Sequence, residues 1–396
     1  MMSVNFCGVS MQYDAIVVGA GLSGAVMAEQ MATVLNWRVL VLDQRPHLAG
    51  NCFDERDKYG CLIHKYGPHL FHTNKKPVWD YLSRFTTWQP YEHKVLAKIG
   101  DLQIPLPFNL NSLYRLYQPE QAKLLEQQLI ERYGVGARVP ILDLRQSGVA
   151  ALQELADWIY DNIFVQYTMR QWGISAEQID PAVLSRVPVV LSRDDRYFHD
   201  TYQAMPLGGY SQMIGAMLAH PNIDAKTGVD ALTRLTLADG KVSFDGEVFP
   251  GTVIYTGMLD QLFAYQCGDL PYRSLQFVFQ SYEYPYYQTA TTVNYPLAPD
   301  LTRITEFKHI LGDTGAGTTV VLEYPQDYDK NDPAKNIPYY PVFTSENQQR
   351  YQQYQALAAQ YPQLVVLGRL AEYKYFNMDD AVANALSIFS AKFLTS

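Results

Sequence analysis

No stretch of this chain approaches the 18 or so consecutive apolar residues that a membrane-spanning helix requires, so no transmembrane helix is expected. Positive charge is scarce. The net charge is −9, which removes the global basic field that draws proteins to nucleic acid or acidic lipid, and an anionic ligand must then be met by local arginines or helix ends. No lysine or arginine precedes Arg38, so no secretory signal peptide is expected, and residues 1–10 read either as an extended start before the first strand or as a non-native addition, since Met11 would serve as well. Four cysteines (Cys7, Cys52, Cys61 and Cys267) are too few and too scattered for a disulfide framework or a zinc site. They read as reduced thiols of a cytoplasmic protein, with no metal expected. Repeats and low-complexity tracts are also missing. What is abundant is tyrosine: thirty residues, a side chain that builds binding pockets from a flat face and a neutral donor.

The most informative segment is Ala15-Ile-Val-Val-Gly-Ala-Gly-Leu-Ser-Gly24, followed by the apolar run Arg38–Leu42 and Asp43. Strand, glycine turn, helix, strand and terminal acid make one βαβ unit. Gly19 allows the tight turn, Gly21 lets backbone approach a pyrophosphate, and Gly24 lets helix and strand pack closely. The helix N-terminus, from Leu22 and Ser23, offers free N–H groups to that pyrophosphate. Asp43 stands 19 residues beyond Gly24, where a ribose-binding carboxylate belongs, with Gln44 beside it.

Residues 76–180 turn helical: Leu124, Leu125, Leu129 and Ile130 form one apolar face, and Leu152, Leu155, Ile159 and Ile163 another. Short strands and turns occupy 222–256, with a hairpin turn at Ala238–Val242; Tyr-, Thr- and Val-rich 272–343 fits an antiparallel sheet. The tail returns to α/β character, with strand Leu364–Arg369 ending in Gly368-Arg369 and a helix predicted over Met378–Phe393. That late return, whose helix N-terminus is suited to negative charge on a reduced flavin, favours FAD over NAD.

Five segments then accumulate: His64-Lys-Tyr-Gly-Pro-His-Leu-Phe-His-Thr-Asn74, Tyr167-Thr-Met-Arg-Gln-Trp-Gly173, Ser185-Arg-Val-Pro188, Asp195-Arg-Tyr-Phe198 and Glu323-Tyr-Pro325. With Gly368-Arg-Leu-Ala-Glu-Tyr-Lys-Tyr-Phe-Asn-Met378, they resemble the UDP-galactopyranose mutases from about Tyr13 onward. The resemblance implies an α/β fold: an FAD-binding Rossmann-like domain (11–75, 203–262, 350–396), an inserted helical domain (76–90, 106–180, with a lid over 173–188) and a twisted antiparallel sheet domain (91–105, 181–202, 263–349). It implies FAD active in its reduced form, a UDP-sugar substrate, a homodimer, and interconversion of UDP-galactopyranose and UDP-galactofuranose through a sugar adduct between C1 and flavin N5.

By the same resemblance, Arg186 and Arg303 clamp the diphosphate bidentately. Tyr197, Tyr324 and Tyr375 donate to phosphate or sugar. Phe164, Tyr167, Thr168 and Trp172 form the uridine pocket, Asn294 and His93 are sugar-side, and His69 lies beside the flavin. Cofactor contacts are further expected from Gly50, Asn51, Leu70, Gly228, Val229, Gly368, Arg369, Phe376, Asn377, Met378, Asp379 and Ala381. Three positions depart from the family pattern: Ala49 for a glycine, His93 for an asparagine, and Asn377 for an aspartate. The competing readings are an amine-oxidase-like flavin oxidoreductase, a mutase for a related nucleotide sugar, and a non-catalytic FAD- or nucleotide-sugar-binding protein.

Overall fold

A computed structural model describes residues 12–165 and 188–394. Strands Ala15–Val18 and Val39–Asp43 are buried on both faces, and such continuous apolar runs settle in the interior of a parallel sheet. They are the third and second strands of a five-stranded sheet ordered Ile223–Thr227, Val39–Asp43, Ala15–Val18, Thr252–Tyr255, Leu364–Val366, and every neighbouring pair is parallel. Alternate side chains feed two cores. Ala15, Val17, Val39 and Val41 pack with helix Leu22–Val34, helix Tyr210–Leu218 and helix Met378–Phe389. Ile16, Leu40, Leu42 and Val253 pack with Tyr351, Tyr354 and Ala358 of helix Ser345–Ala358.

A seven-stranded sheet stands beside this unit, ordered Tyr340–Pro341, Tyr272–Tyr282, Thr318–Asp327, Arg303–Glu306, Thr292–Asn294, Val95–Ile99, Leu102–Leu106. It is antiparallel except where Thr292–Asn294 runs parallel to Val95–Ile99, so the expected antiparallel sheet is mixed at one joint. The helical segments Leu110–Leu116, Pro119–Tyr133, Ile141–Arg145 and Ala150–Ile159 share one core with Val95, Ala97, Ile104 and Leu106. Of the predicted helix faces, Leu125, Leu129, Leu152, Leu155 and Ile159 are buried, whereas Leu124 is exposed because it falls outside the stripe facing that core.

Val78, Tyr81 and Leu82 of helix Lys76–Leu82 enter the core that also holds Ala15, Val17, Val39 and Val41. The Tyr81 hydroxyl also donates to Glu29 of the first helix at 2.8 Å. The predicted hairpin turn joins Leu235–Ala238 to Lys241–Phe244, with Asp239 (φ 50°) and Gly240 (φ 71°) both left-handed, as a two-residue hairpin loop requires. The last helix ends at Phe389 and passes into a wider turn over Ser390–Leu394. Among the described residues, no helix is long and apolar enough to cross a membrane.

Candidate active site

A cleft opens at the C-terminal ends of the parallel strands, with about 1250 Å³ of empty space including the solvent at its mouth. Ligands of open α/β sheets bind there. Its floor is the glycine turn. Gly19 has φ 104°, and a Cβ on it would lie 2.1 Å from Thr256 Oγ1; a Cβ on Gly24 would lie 2.0 Å from the Gly19 carbonyl oxygen. Gly21 is open by contrast, meeting only Gly50 Cα at 3.8 Å, which leaves its backbone free for close approach by a ligand. Asp43 lines the cleft and braces the turn, accepting from the Ala20 N–H at 2.8 Å and the Arg45 N–H at 2.9 Å.

Of the expected cofactor contacts, Gly19, Gly21, Leu22, Ser23, Gly24, Asp43, Gln44, Gly50, Asn51, His69, Val229, Gly368, Arg369, Phe376, Asn377, Met378 and Ala381 are brought together around this one cleft. Three are not. Gly228 gives its N–H to the Arg45 carbonyl, which sets the turn that presents Val229. Leu70 packs against the first core. Asp379 turns away to accept from Thr73 Oγ1 at 2.9 Å and Lys75 Nζ at 2.6 Å. Its acid therefore anchors the last helix to strand Phe71–Thr73, while that helix's N-terminus still faces the cleft.

Arg45 also lines the cleft, although no motif in the sequence singles it out. Its guanidinium lies 4.2 Å from the Tyr66 ring centre and donates from Nη2 to Asn51 at 2.9 Å, yet Nη1 is buried with no partner among the described residues. A buried unpaired guanidinium N–H in a dinucleotide cleft fits an anionic or hydroxylated ligand. The one sequence signal for it is its place two residues after Asp43. On the opposite wall Arg369 donates to the carbonyls of Tyr339 and Phe376 and lies 5.0 Å from the Tyr375 ring centre. The cleft therefore holds the requirements of a dinucleotide cofactor: an open glycine, an acid, helix ends and an unsatisfied cation donor.

Beside it, the sheet builds a second group. Asn294 pairs with Arg303 and Arg303 with Glu323 in register, so the three share one face across adjacent strands. Arg303 donates to Glu323 Oε2 from Nε at 3.0 Å and approaches it from Nη2 at 2.9 Å. Glu323 Oε1 and Asn294 Oδ1 are buried acceptors without a partner among the described residues. Tyr197 and His93 lie within the field of Arg303, their ring centres 5.9 Å apart. Burial, reinforced by Arg303, pulls His93 down to about 3, so it is neutral; Tyr91 holds its Nδ1 at 2.9 Å.

Tyr324 is adjacent to Glu323 on the strand, so it faces the other side of the sheet, because strand side chains alternate. Tyr340 lies near Glu323, Arg303 and Arg369. Burial, with Glu323 and Tyr375 adding, raises its hydroxyl to about 12, and its ring lies 5.9 Å from that of the half-exposed Tyr375. The sequence hint is Pro338-Tyr-Tyr-Pro341, whose pattern says only sheet. Phe164 is buried in the helical core. Tyr167, Thr168, Trp172 and Arg186, with nearly all of the expected lid, lie outside the described residues.

A family model for UDP-galactopyranose mutase matches residues 162–375, more than half of the chain. The chain belongs to the UDP-galactopyranose mutase family. A model for an NAD(P)-binding Rossmann-like domain matches residues 17–85, from the glycine turn through helix Lys76–Leu82. A relative in Mycoplasma genitalium named UDP-galactopyranose mutase is 36% identical over 97% of this chain and 95% of its own length. A dTDP-fucopyranose mutase of Escherichia coli is 32% identical, covering 94% of this chain and 96% of its own. A crystal structure of reduced UDP-galactopyranose mutase superposes with a TM-score of 0.64 at 15% identity, covering 97% of this chain and 94% of that one, a likeness of fold. The mutase family thus accounts for both the Rossmann-like unit and the sheet that carries Arg303.

Proposed function

We propose that the chain interconverts UDP-galactopyranose and UDP-galactofuranose, with FAD in the nucleotide cleft as the cofactor. The observation that carries the reading is the placement of the Asn294–Arg303–Glu323 row and Tyr340 against Arg369 at the cleft's edge, in a chain of this family. The cleft residues fit the cofactor: Gly21 and the helix N-terminus would take its pyrophosphate, Asp43 a ribose, and Arg45 Nη1 an oxygen. Once reduced, a bound flavin supplies an electron-rich nitrogen able to hold a sugar carbon while the ring opens and recloses.

The protein's share is electrostatic. Arg303, its orientation fixed by Glu323, would neutralise the diphosphate as its bond to the sugar breaks and keep it near for return. Tyr340 is held protonated by burial and donates without adding charge. His93 is neutral and accepts or donates without competing with Arg303 for the anion. Arg186, Trp172, Tyr167 and Thr168 complete the nucleotide end in this reading. The same reading carries a homodimer and a cytoplasmic location.

The relative named dTDP-fucopyranose mutase supports a second reading, a mutase for another nucleotide sugar. Dithionite-reduced enzyme incubated with UDP-galactofuranose should yield UDP-galactopyranose by chromatography. Conversion of dTDP-fucofuranose alone would move the assignment to the second reading. Stoichiometric substrate oxidation with no isomer formed would replace both with an oxidoreductase.

A further inference from the structure

We propose that His64 and Tyr210 are a positioning pair that holds His69 on the cleft wall as a hydrogen-bond acceptor, and that this acceptor favours a reduced flavin. The inference rests on the flavin reading above and concerns the state of the cofactor, not the sugar. Every polar group of His69 but one is taken by protein. Its backbone N–H donates to His64 Nδ1 at 3.0 Å, and its carbonyl accepts from the Tyr210 hydroxyl at 3.1 Å. Its own Nδ1 faces the Gly67 carbonyl at 2.8 Å, and only a protonated nitrogen can bond there. The lone pair is therefore on Nε2, for which no partner exists among the described residues, and His69 lines the cleft.

The clamp is rigid. His64 and Tyr210 are 1% and 0% exposed, their ring centres 5.6 Å apart. Gly67, whose carbonyl fixes the tautomer, has φ 88°, and a Cβ there would lie 2.7 Å from Phe277 Cζ. The groups around His69 do not reverse the arrangement: burial, with His64 and Arg369 adding, pulls His69 down to about 3 against smaller opposing effects of the Gly67 carbonyl and Asp54. An oxidised isoalloxazine offers acceptors at its central nitrogens, whereas the reduced ring carries an added N–H. A fixed acceptor on the wall matches the second and not the first, which is how a protein group tunes a cofactor's electronics.

Two measurements decide it. In protein labelled with 15N-histidine, the resonances lost in His69→Gln should show a pyrrole-type Nδ1 and a pyridine-type Nε2 that do not titrate between pH 5 and 8. A protonated Nε2, or titration in that range, overturns the clamp. In flavin-loaded enzyme, His64→Leu and Tyr210→Phe should shift the reduced-to-oxidised ratio about tenfold toward oxidised at fixed potential, about 30 mV for a two-electron couple. His64→Asn, which retains an acceptor near the Nδ1 position, should stay within twofold of the parent. Unchanged potentials in both His64→Leu and Tyr210→Phe overturn the redox half. A parent protein that binds no flavin refutes the cofactor reading and the redox half together, while the tautomer measurement still decides the clamp.

Discussion

Arg303 is held by a buried carboxylate whose second oxygen is unspent, so its planar fork arrives at the site already aimed. Arg303→Lys keeps the charge and loses the fork. Turnover should fall about 10²- to 10³-fold with flavin content unchanged, the size expected for losing one preorganised donor; turnover within threefold of the parent would remove Arg303 from the clamp. Ala49 poses a different residue-scale question. It is buried with φ 75°, a left-handed conformation that costs an L side chain about 1–2 kcal/mol, against about 0.5–1 kcal/mol of extra chain entropy for glycine. Losing the fully buried methyl costs about 0.8 kcal/mol more, so Ala49→Gly should leave stability within about 0.5 kcal/mol of the parent by urea midpoint, and a drop of more than about 1 kcal/mol would contradict the strain. His69 and Arg369 are legible in the sequence because each sits in a segment whose neighbours are equally specialised, whereas Arg303 stands outside those segments and is expected only from the resemblance. Tyr340 and Arg45 are not, since their importance comes from strands and loops that meet only in space.

At the scale of elements, the glycine turn and the last helix form the cleft from opposite ends of the described chain. Gly19→Ala places a methyl against Thr256 Oγ1 and forces a positive φ on alanine. The purified variant should carry less than a tenth of the parent's flavin by absorbance; full occupancy would show that the turn has room to give. The helix Met378–Phe389 is visible in its sequence pattern, and its ionic anchor is not. Asp379 has the look of a cofactor contact, but Lys75 and Thr73 are brought to it by a strand that sequence pattern cannot place. The placement of Tyr324 is not legible for a simpler reason: one step along a strand reverses the face, and the register that decides which residue faces Arg303 is set by partner strands.

For the whole molecule, three histidines link fold to pH, His64 and His93 buried and His69 half-buried on the cleft wall. His64, His69 and His93 are each pulled from 6.5 down to about 3 by burial. The unfolded chain binds protons at these sites below about pH 6.5 while the folded chain refuses them until about pH 3. The stability they confer is thus full above pH 6.5 and drains as pH falls, each losing up to about 1.4 kcal/mol per pH unit. The melting temperature should drop between pH 7 and pH 5 by calorimetry, and a flat profile would mean that these rings are hydrated. The parallel sheet and helical block are legible from periodicity, since both bury continuous faces. The mixed joint in the large sheet and the shared core beneath the helices depend on contacts between distant segments, which pattern within a segment does not encode.

The parallel sheet takes its final strand, Leu364–Val366, from far down the chain, and the cleft needs Gly368, Arg369 and Met378 from just beyond it. A partly synthesised polypeptide can therefore form the glycine turn early yet lacks the wall that would retain a flavin. Capture of the coenzyme becomes a report that both extremities have met. Yellow colour in a preparation would then certify chains folded through their last helix, and protease nicking near residue 364 would bleach it.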